Sequence, residues 1–222
     1  MLHKTSGVVF RLTKYGETSI IVSIFTSLFG LQSYIVNGVR SKSTKSRIAL
    51  YQPLMLLDMV VYHRAHASIN RVKEVKCIHP YQSIFNDVKK SSIAMFINEV
   101  MNKTIKEESH AEEVCTFLIE SLITLDTLKE NTENFHLLFM LKLSRFLGFG
   151  AHHVNEVVAG KMTTTEVEDI ISILLRTPYG QPVEMSYGQR REILDLLLQF
   201  YGDHVETFGE LKSVQVLKEI LG

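Results

Sequence analysis

At His79-Pro80-Tyr81 the spacing of apolar residues changes from every second position to a helical period of about 3.6, so one chain must hold two kinds of architecture. Upstream, Val8-Val9-Phe10-Arg11-Leu12-Thr13-Lys14 runs through the turn Tyr15-Gly16-Glu17 into a β-branched stretch from Thr18 to Thr26, which predicts a hairpin. Ser27-Leu28-Phe29-Gly30 turns the chain into Leu31 to Val36, and Asn37-Gly38 closes that strand. Leu54 to Tyr62 is an apolar strand whose partner is Ser68 to Cys77, across His63-Arg64-Ala65-His66-Ala67. Five short strands in about eighty positions suit a small closed barrel of the OB type.

Downstream of Ser83 the apolar residues fall on helical faces. Ile84, Val88, Ile93, Phe96, Ile97, Val100 and Met101 form one stripe, and Val114, Phe117, Leu118, Leu122 and Leu125 form a second, predicting helices that end near Lys103 and Leu128. Phe135 to Phe149 is apolar on nearly every face, which marks a central buried helix stopped by Gly148-Phe149-Gly150. Thr163-Thr164-Thr165-Glu166 opens a helix to about Leu175, and further helices run from about Tyr187 to Tyr201 and from about Phe208 to Leu221. The fold class is therefore α+β: a five-stranded OB-fold barrel over residues 1–79, followed by an all-α domain over residues 80–222.

Composition narrows the class further. With 45% hydrophobic and 22% charged residues, 4 Pro and 12 Gly, the 222-residue chain is an ordinary globular protein rather than a disordered or fibrous one. Cys77 and Cys115 stand far apart with no CxxC pair, which excludes a disulfide framework and a cysteine-based zinc site. Leu2-His3-Lys4 leads straight into an alternating segment, without the apolar core of a signal peptide, so a cytoplasmic protein is expected. The most apolar windows are short or interrupted by Asp58, Lys142 and Arg145, so no transmembrane helix is expected.

The formal net charge of zero hides a division. Residues 1–80 hold eleven basic side chains against three acidic ones, a net of +8, and the remainder carries −8. Much of the excess lies in the loop Val39 to Arg47, where Arg40, Lys42, Lys45 and Arg47 alternate with Ser and Thr and no acid intervenes. Such a segment cannot pack a core and projects into solvent. Arg11 and Lys14, beside Tyr15, add charge and a stacking surface at a strand end. A cationic groove with an aromatic face is what binders of single strands use, while a loop kept soluble by lysines is the plainer reading. In the helical half, Lys142 and Arg145 lie three apart on the apolar helix and require a partner, either an internal carboxylate or an acidic peptide from outside.

No catalytic constellation accompanies these features. Gly148-Phe149-Gly150 follows a helix, whereas a dinucleotide fingerprint needs a strand before it. His63 and His66 fall on a hairpin tip that reads as a solvated turn, and His152-His153 is a weak pair. No phosphate-cradling glycine loop, nucleophile elbow or HExxH helix is present, so no enzyme, metal or cofactor is expected.

Gly7-Val8-Val9, Tyr15-Gly16-Glu17, Phe25-Thr26, Gly30, the Gly38 to Ser43 loop and Gln52-Pro53-Leu54 together resemble the amino-terminal half of the bacterial RecO family. Leu147-Gly148-Phe149-Gly150 is similar to the Leu-Gly-Tyr-Gly ending of that family's long helix, and His204, Leu211-Lys212-Ser213 and Val216-Leu217 resemble its closing helix. The resemblance implies a mediator of recombination and DNA repair that needs no nucleotide. It would bind single- and double-stranded DNA, anneal complementary strands, hold the acidic tail of the single-stranded DNA-binding protein, and act with RecR to load RecA. DNA would meet Arg11, Lys14, Tyr15, Arg40, Lys42, Lys45 and Arg47, and the tail would meet Lys142 and Arg145. Many members carry a four-cysteine zinc module after the long helix; here His152 to Thr165 fills that place without a cysteine, so zinc is not expected. An OB-fold RNA binder or a protein-interaction scaffold is the alternative that the cationic loop alone would permit.

Overall fold

The computed structural model describes residues 1–39, 48–65, 67–106 and 110–221. It contains two compact units, one made of Met1–Pro80 with Ile105–Ile123, the other of Tyr81–Thr104 with Thr124–Gly222.

In the first unit β1 (Leu2–Tyr15), β2 (Ser19–Thr26), β3 (Gly30–Val36), β4 (Leu56–Tyr62) and β5 (Asn70–Cys77) close into a barrel in the order β1-β2-β3-β5-β4. This is the five-stranded OB-type barrel that the period-2 pattern predicts. The first strand starts earlier than Val8: Leu2 to Ser6 pair with Tyr62 to Asp58. His3-Lys4-Thr5-Ser6 is polar throughout, so no alternation announces it. Val9, Ile20, Val22, Ile24, Tyr34, Leu57, Met59 and Val61 fill the barrel. Phe10 stacks on Phe25, centroids 5.8 Å apart. Gly7 is required by the closeness of β1 and β2, since a Cβ there would stand 2.8 Å from both the Ile24 Cγ2 and the Phe25 carbonyl oxygen. Residues 110–123 belong to the same unit as this barrel, and the buried Cys115 thiol donates to the Ser6 and Phe25 carbonyls at 3.9 and 3.8 Å. Burial pushes that thiol up to about 12, so it stays protonated and inert.

The helices are α1 (Val88–Thr104), α2 (Ala111–Thr127), α3 (Phe135–Phe146), α4 (Val154–Val158), α5 (Thr165–Leu174), α6 (Tyr187–His204) and α7 (Ser213–Leu221). Local chemistry sets their ends. The Thr164 side chain accepts from the Val167 N–H to start α5, and Ser186 with Gln189 forms a capping box on α6. Beyond α3, Gly148 takes a φ of +86°. As its composition predicts, α3 is buried along most of its length, and the Tyr201 hydroxyl donates to the Met140 carbonyl at 2.6 Å.

Three segments differ from the periodicity. Ser83 to Asp87 is not helical: the Ser83 and Ile84 N–H groups donate to the Asp126 carboxylate, and the Asp87 carboxylate accepts from the Lys90 N–H where α1 begins. Helix α4 arises within 152–165, where the Glu156 carboxylate accepts from the His152 N–H at 2.7 Å. Phe208 to Lys212 is non-helical apart from its turns, and α7 begins at Ser213.

That late start has a cause on another helix. The Glu99 carboxylate of α1 accepts from the Lys212 N–H at 3.0 Å, the Ser213 N–H at 2.8 Å and the Ser213 hydroxyl at 2.6 Å. It therefore satisfies the N-terminal donors of α7 with a negative charge. Burial opposes ionisation of Glu99, but the hydrogen bonds from Ser213 and Lys212 outweigh it and hold the carboxyl below its ordinary value of 4.5. A carboxylate with a lowered folded pKa stabilises fully above 4.5 and loses that contribution as pH falls below it. The protection factors of the α7 amides, exchange divided into its intrinsic rate at each pH, should therefore fall in the parent as pH drops below 4.5. Glu99→Gln should show faster exchange at pH 7 and a much weaker dependence on acid.

Candidate nucleic-acid interface

The hairpin joining β1 to β2 turns at Gly16, whose φ of +56° suits glycine. β1 carries the expected basic side chains to this end, where Lys14 pairs with Ile20 and Tyr15 with Ser19. Arg11, Lys14 and Tyr15 are exposed, Tyr15 by 52%. Strand alternation places Arg11 and Tyr15 on one face of β1, and Lys14 on the face of Leu12, which packs against the barrel core. The structure thus keeps Arg11 and Tyr15 together and turns Lys14 away from them.

Arg40, Lys42, Lys45 and Arg47 lie outside the described residues. The described flanks are anchored: Val39 is 1% exposed and Tyr51 is 3% exposed, both in the barrel core, with Ile48 and Leu50 packed against it.

A further group of cations was not singled out from the sequence. A cleft of about 600 Å³ opens between the end of β3 and β5, lined by Val36, Val39, Leu50, Tyr62 and the run Arg71 to Lys76. Arg71, Lys73 and Lys76 are exposed on it, with Glu74 as the acidic counterpart, 3.7 Å from the Lys73 ammonium. The signal was present as a strand with three cations against one acid, but the cleft is made by strand pairing. β3 and β5 are joined through only Tyr34 with Asn70 and Ile35 with Arg71.

The hairpin between β4 and β5 is better packed than a solvated turn. The His63 ring stacks on Phe29 with centroids 3.8 Å apart, His3 meets Phe29 edge-on at 5.2 Å, and the Met1 ammonium donates to the His63 carbonyl. His66 lies outside the described residues. Among the described residues no group of three or more His, Cys, Asp or Glu side chains is placed to hold a metal.

In the second unit, Lys142 and Arg145 find neutral partners. The half-buried Lys142 ammonium lies 5.3 Å from the centroid of Tyr179, and Tyr179 stacks on Phe135 at 4.2 Å. The exposed Arg145 guanidinium donates to the Leu175 carbonyl at 2.7 Å. Neither pairs with a carboxylate among the described residues, so the internal ion pair that their setting invited is replaced by a ring face and a carbonyl. Burial, and then the Arg145 charge, depress the Lys142 pKa. Two cations near one another without a counter-ion leave a positive spot on an apolar helix.

Family models match both halves of the chain, "Recombination protein O N terminal" over residues 1–81 and "Recombination protein O C terminal" over 86–167. The chain belongs to the RecO family. A DNA repair protein RecO from Bacteroides fragilis is 34% identical over 241 aligned residues covering 99% of each chain. Relatives of the same description from Flavobacterium psychrophilum and Flavobacterium johnsoniae are 32% and 31% identical over 98% of each chain. RecO membership gives the chain a general role as a mediator of DNA repair and recombination, and family members are mediators rather than enzymes. No helix of the described residues is long and apolar enough to cross a membrane.

Proposed function

We propose that this chain binds single- and double-stranded DNA without sequence preference through the barrel, residues 1–79, and anneals complementary strands. The observation that carries this reading is the +8 charge of residues 1–80, together with exposed Arg11, Lys14 and Tyr15 at one end of the barrel. Cations on phosphates release counterions and give an affinity indifferent to base sequence. Coating two strands lowers their mutual repulsion, and annealing then needs no catalytic group. Tyr15 offers a face on which a base can stack. Arg40, Lys42, Lys45 and Arg47 extend the surface in this proposal.

If four of these cations meet single-stranded phosphates, log K against log salt should slope by about −3. Replacing Arg40, Lys42, Lys45 and Arg47 together by Ala should flatten that slope by about 0.7 for each phosphate contact the loop makes. An unchanged slope and affinity in the quadruple variant would remove the loop from the interface. Equal binding of structured RNA at matched salt, with no annealing of oligonucleotides, would favour an RNA-binding protein instead. Partner binding that survives nuclease treatment, without annealing, would favour a scaffold.

The helical domain, residues 80–222, takes in this proposal the acidic tail of the single-stranded DNA-binding protein and makes auxiliary contact with DNA. Lys142 and Arg145 receive the tail's charge, and the partly exposed Tyr179 ring, backed by the buried Phe135, supplies the apolar surface beside it. With RecR, the protein then loads RecA onto coated single strands in a cytoplasmic, nucleoid-associated setting. Lys142→Ala with Arg145→Ala should weaken a fluorescent tail peptide on the order of tenfold or more. A tail peptide bound equally by the double variant and the parent would discard this assignment.

A further inference from the structure

The cleft beside β5 exposes backbone as well as charge. β5 pairs with β4 from Arg71 to Cys77, but on its other side it meets β3 only at Asn70 and Arg71. Among the described residues, no backbone group pairs with the cleft side of β5 from Val72 to Cys77. An open edge of this kind offers alternating N–H donors and C=O acceptors, the template to which an extended peptide adds as a further strand.

Charge decides what such a strand must be. Arg71, Lys73 and Lys76 border the edge, and Lys73 is the extra residue of a bulge, since Val60 faces Glu74 while Val61 faces Val72. Edge lysines and bulges refuse a neutral strand or a like-charged one, because pairing would bury three cations that Glu74 alone offsets only in part. An acidic strand turns the same feature into attraction. The segment 40–47, which follows Val39 on the cleft wall, carries four cations and no acid and would add like charge. Val36, Leu50, Val72 and Val75 give the cleft apolar places at which every second side chain of the incoming strand can settle. A nucleic-acid strand answers the cations, but its phosphates can only accept. They leave the β5 carbonyls unanswered, whereas a peptide satisfies donors and acceptors alike.

We propose that β5 is a docking edge for an extended acidic peptide of a partner protein, alternating Asp or Glu with apolar residues and adding to the barrel as a further strand. This goes beyond the DNA reading and does not rest on it.

The test is amide exchange on the full chain with two blocked peptides of about eight residues, one alternating Asp with Val and one alternating Lys with Val, and with an oligothymidylate. The Asp peptide should slow exchange within Val72 to Cys77 and the Lys peptide should not. Lys73→Glu with Lys76→Glu should weaken the Asp peptide on the order of tenfold or more, with an unchanged unfolding midpoint. Unaltered β5 exchange with the Asp peptide, or equal binding of both peptides, overturns the proposal. Equal protection of the same amides by oligothymidylate also overturns it, since the cleft is then a nucleic-acid groove.

Discussion

Asp126→Ala should cost about 3–5 kcal/mol of stability, the largest loss expected from a single side chain in this protein. Asp126 is 5% exposed, and its carboxylate accepts from three successive backbone N–H groups, those of Gln82, Ser83 and Ile84, at 2.8 to 3.1 Å. Lys90, also 5% exposed, closes the group by donating to the Ser83 hydroxyl at 2.7 Å and to the Asp126 carbonyl at 2.8 Å. Alanine would leave three backbone donors without an acceptor, and each such orphan costs about 1–3 kcal/mol. Asp126→Asn keeps one acceptor oxygen and should lose roughly half as much. Denaturant midpoints of the second unit measure both. A loss within about 0.5 kcal/mol of zero for Asp126→Ala would show that water replaces the carboxylate and that the cluster is not a structural centre.

Acid should unfold the helical unit through His136. This residue is 1% exposed in the first turn of α3, edge-on to Phe96 at 6.0 Å. Burial, and then the Arg190 charge, push its pKa down from 6.5 to about 3, against the pull of the Glu133 carbonyl. A base with a lowered folded pKa is neutral in the fold while the unfolded chain takes up a proton. Its contribution is therefore complete above pH 6.5 and lost as pH falls toward 3. The expected slope is about 1.4 kcal/mol per pH unit, so about 2 kcal/mol is gone by pH 5. His136→Leu, of similar size, should match the parent at pH 7 and exceed its stability at pH 5 by about that amount. Parallel loss of stability in parent and variant between pH 7 and 5 would show that other groups govern the acid response.

Both effects come from residues that their local sequence does not mark. Asp126 follows an apolar stripe and reads as the polar end of a helix, and His136 reads as one position among many in a buried one. The strands were legible where side chains alternate, from Val8 onward, and illegible at His3 to Ser6, where pairing with β4 rather than pattern makes the strand. Helix ends were legible where the cap is local, as at Thr164 or Gly148, and misplaced where it is distant, as at Ser213, which Glu99 caps. Within the candidate interface, Arg11, Lys14 and Tyr15 were readable because a turn and a charge stand next to each other in the chain. Arg71, Lys73 and Lys76 became a group only through the β3–β5 opening.

The amino-acid sequence by itself determined the change from strands to helices at His79-Pro80-Tyr81, the count of the strands, and the concentration of positive charge in the first eighty residues. Each is a property of neighbours along the chain: side-chain alternation, helical repeat and local charge density. Tertiary structure alone decided that 110–123 packs with the barrel, that Lys142 and Arg145 rest on a ring and a carbonyl, and that one side of β5 stays open. Those outcomes depend on which groups meet after the chain has closed on itself, and pairing between residues dozens of positions apart leaves no periodic trace in the sequence.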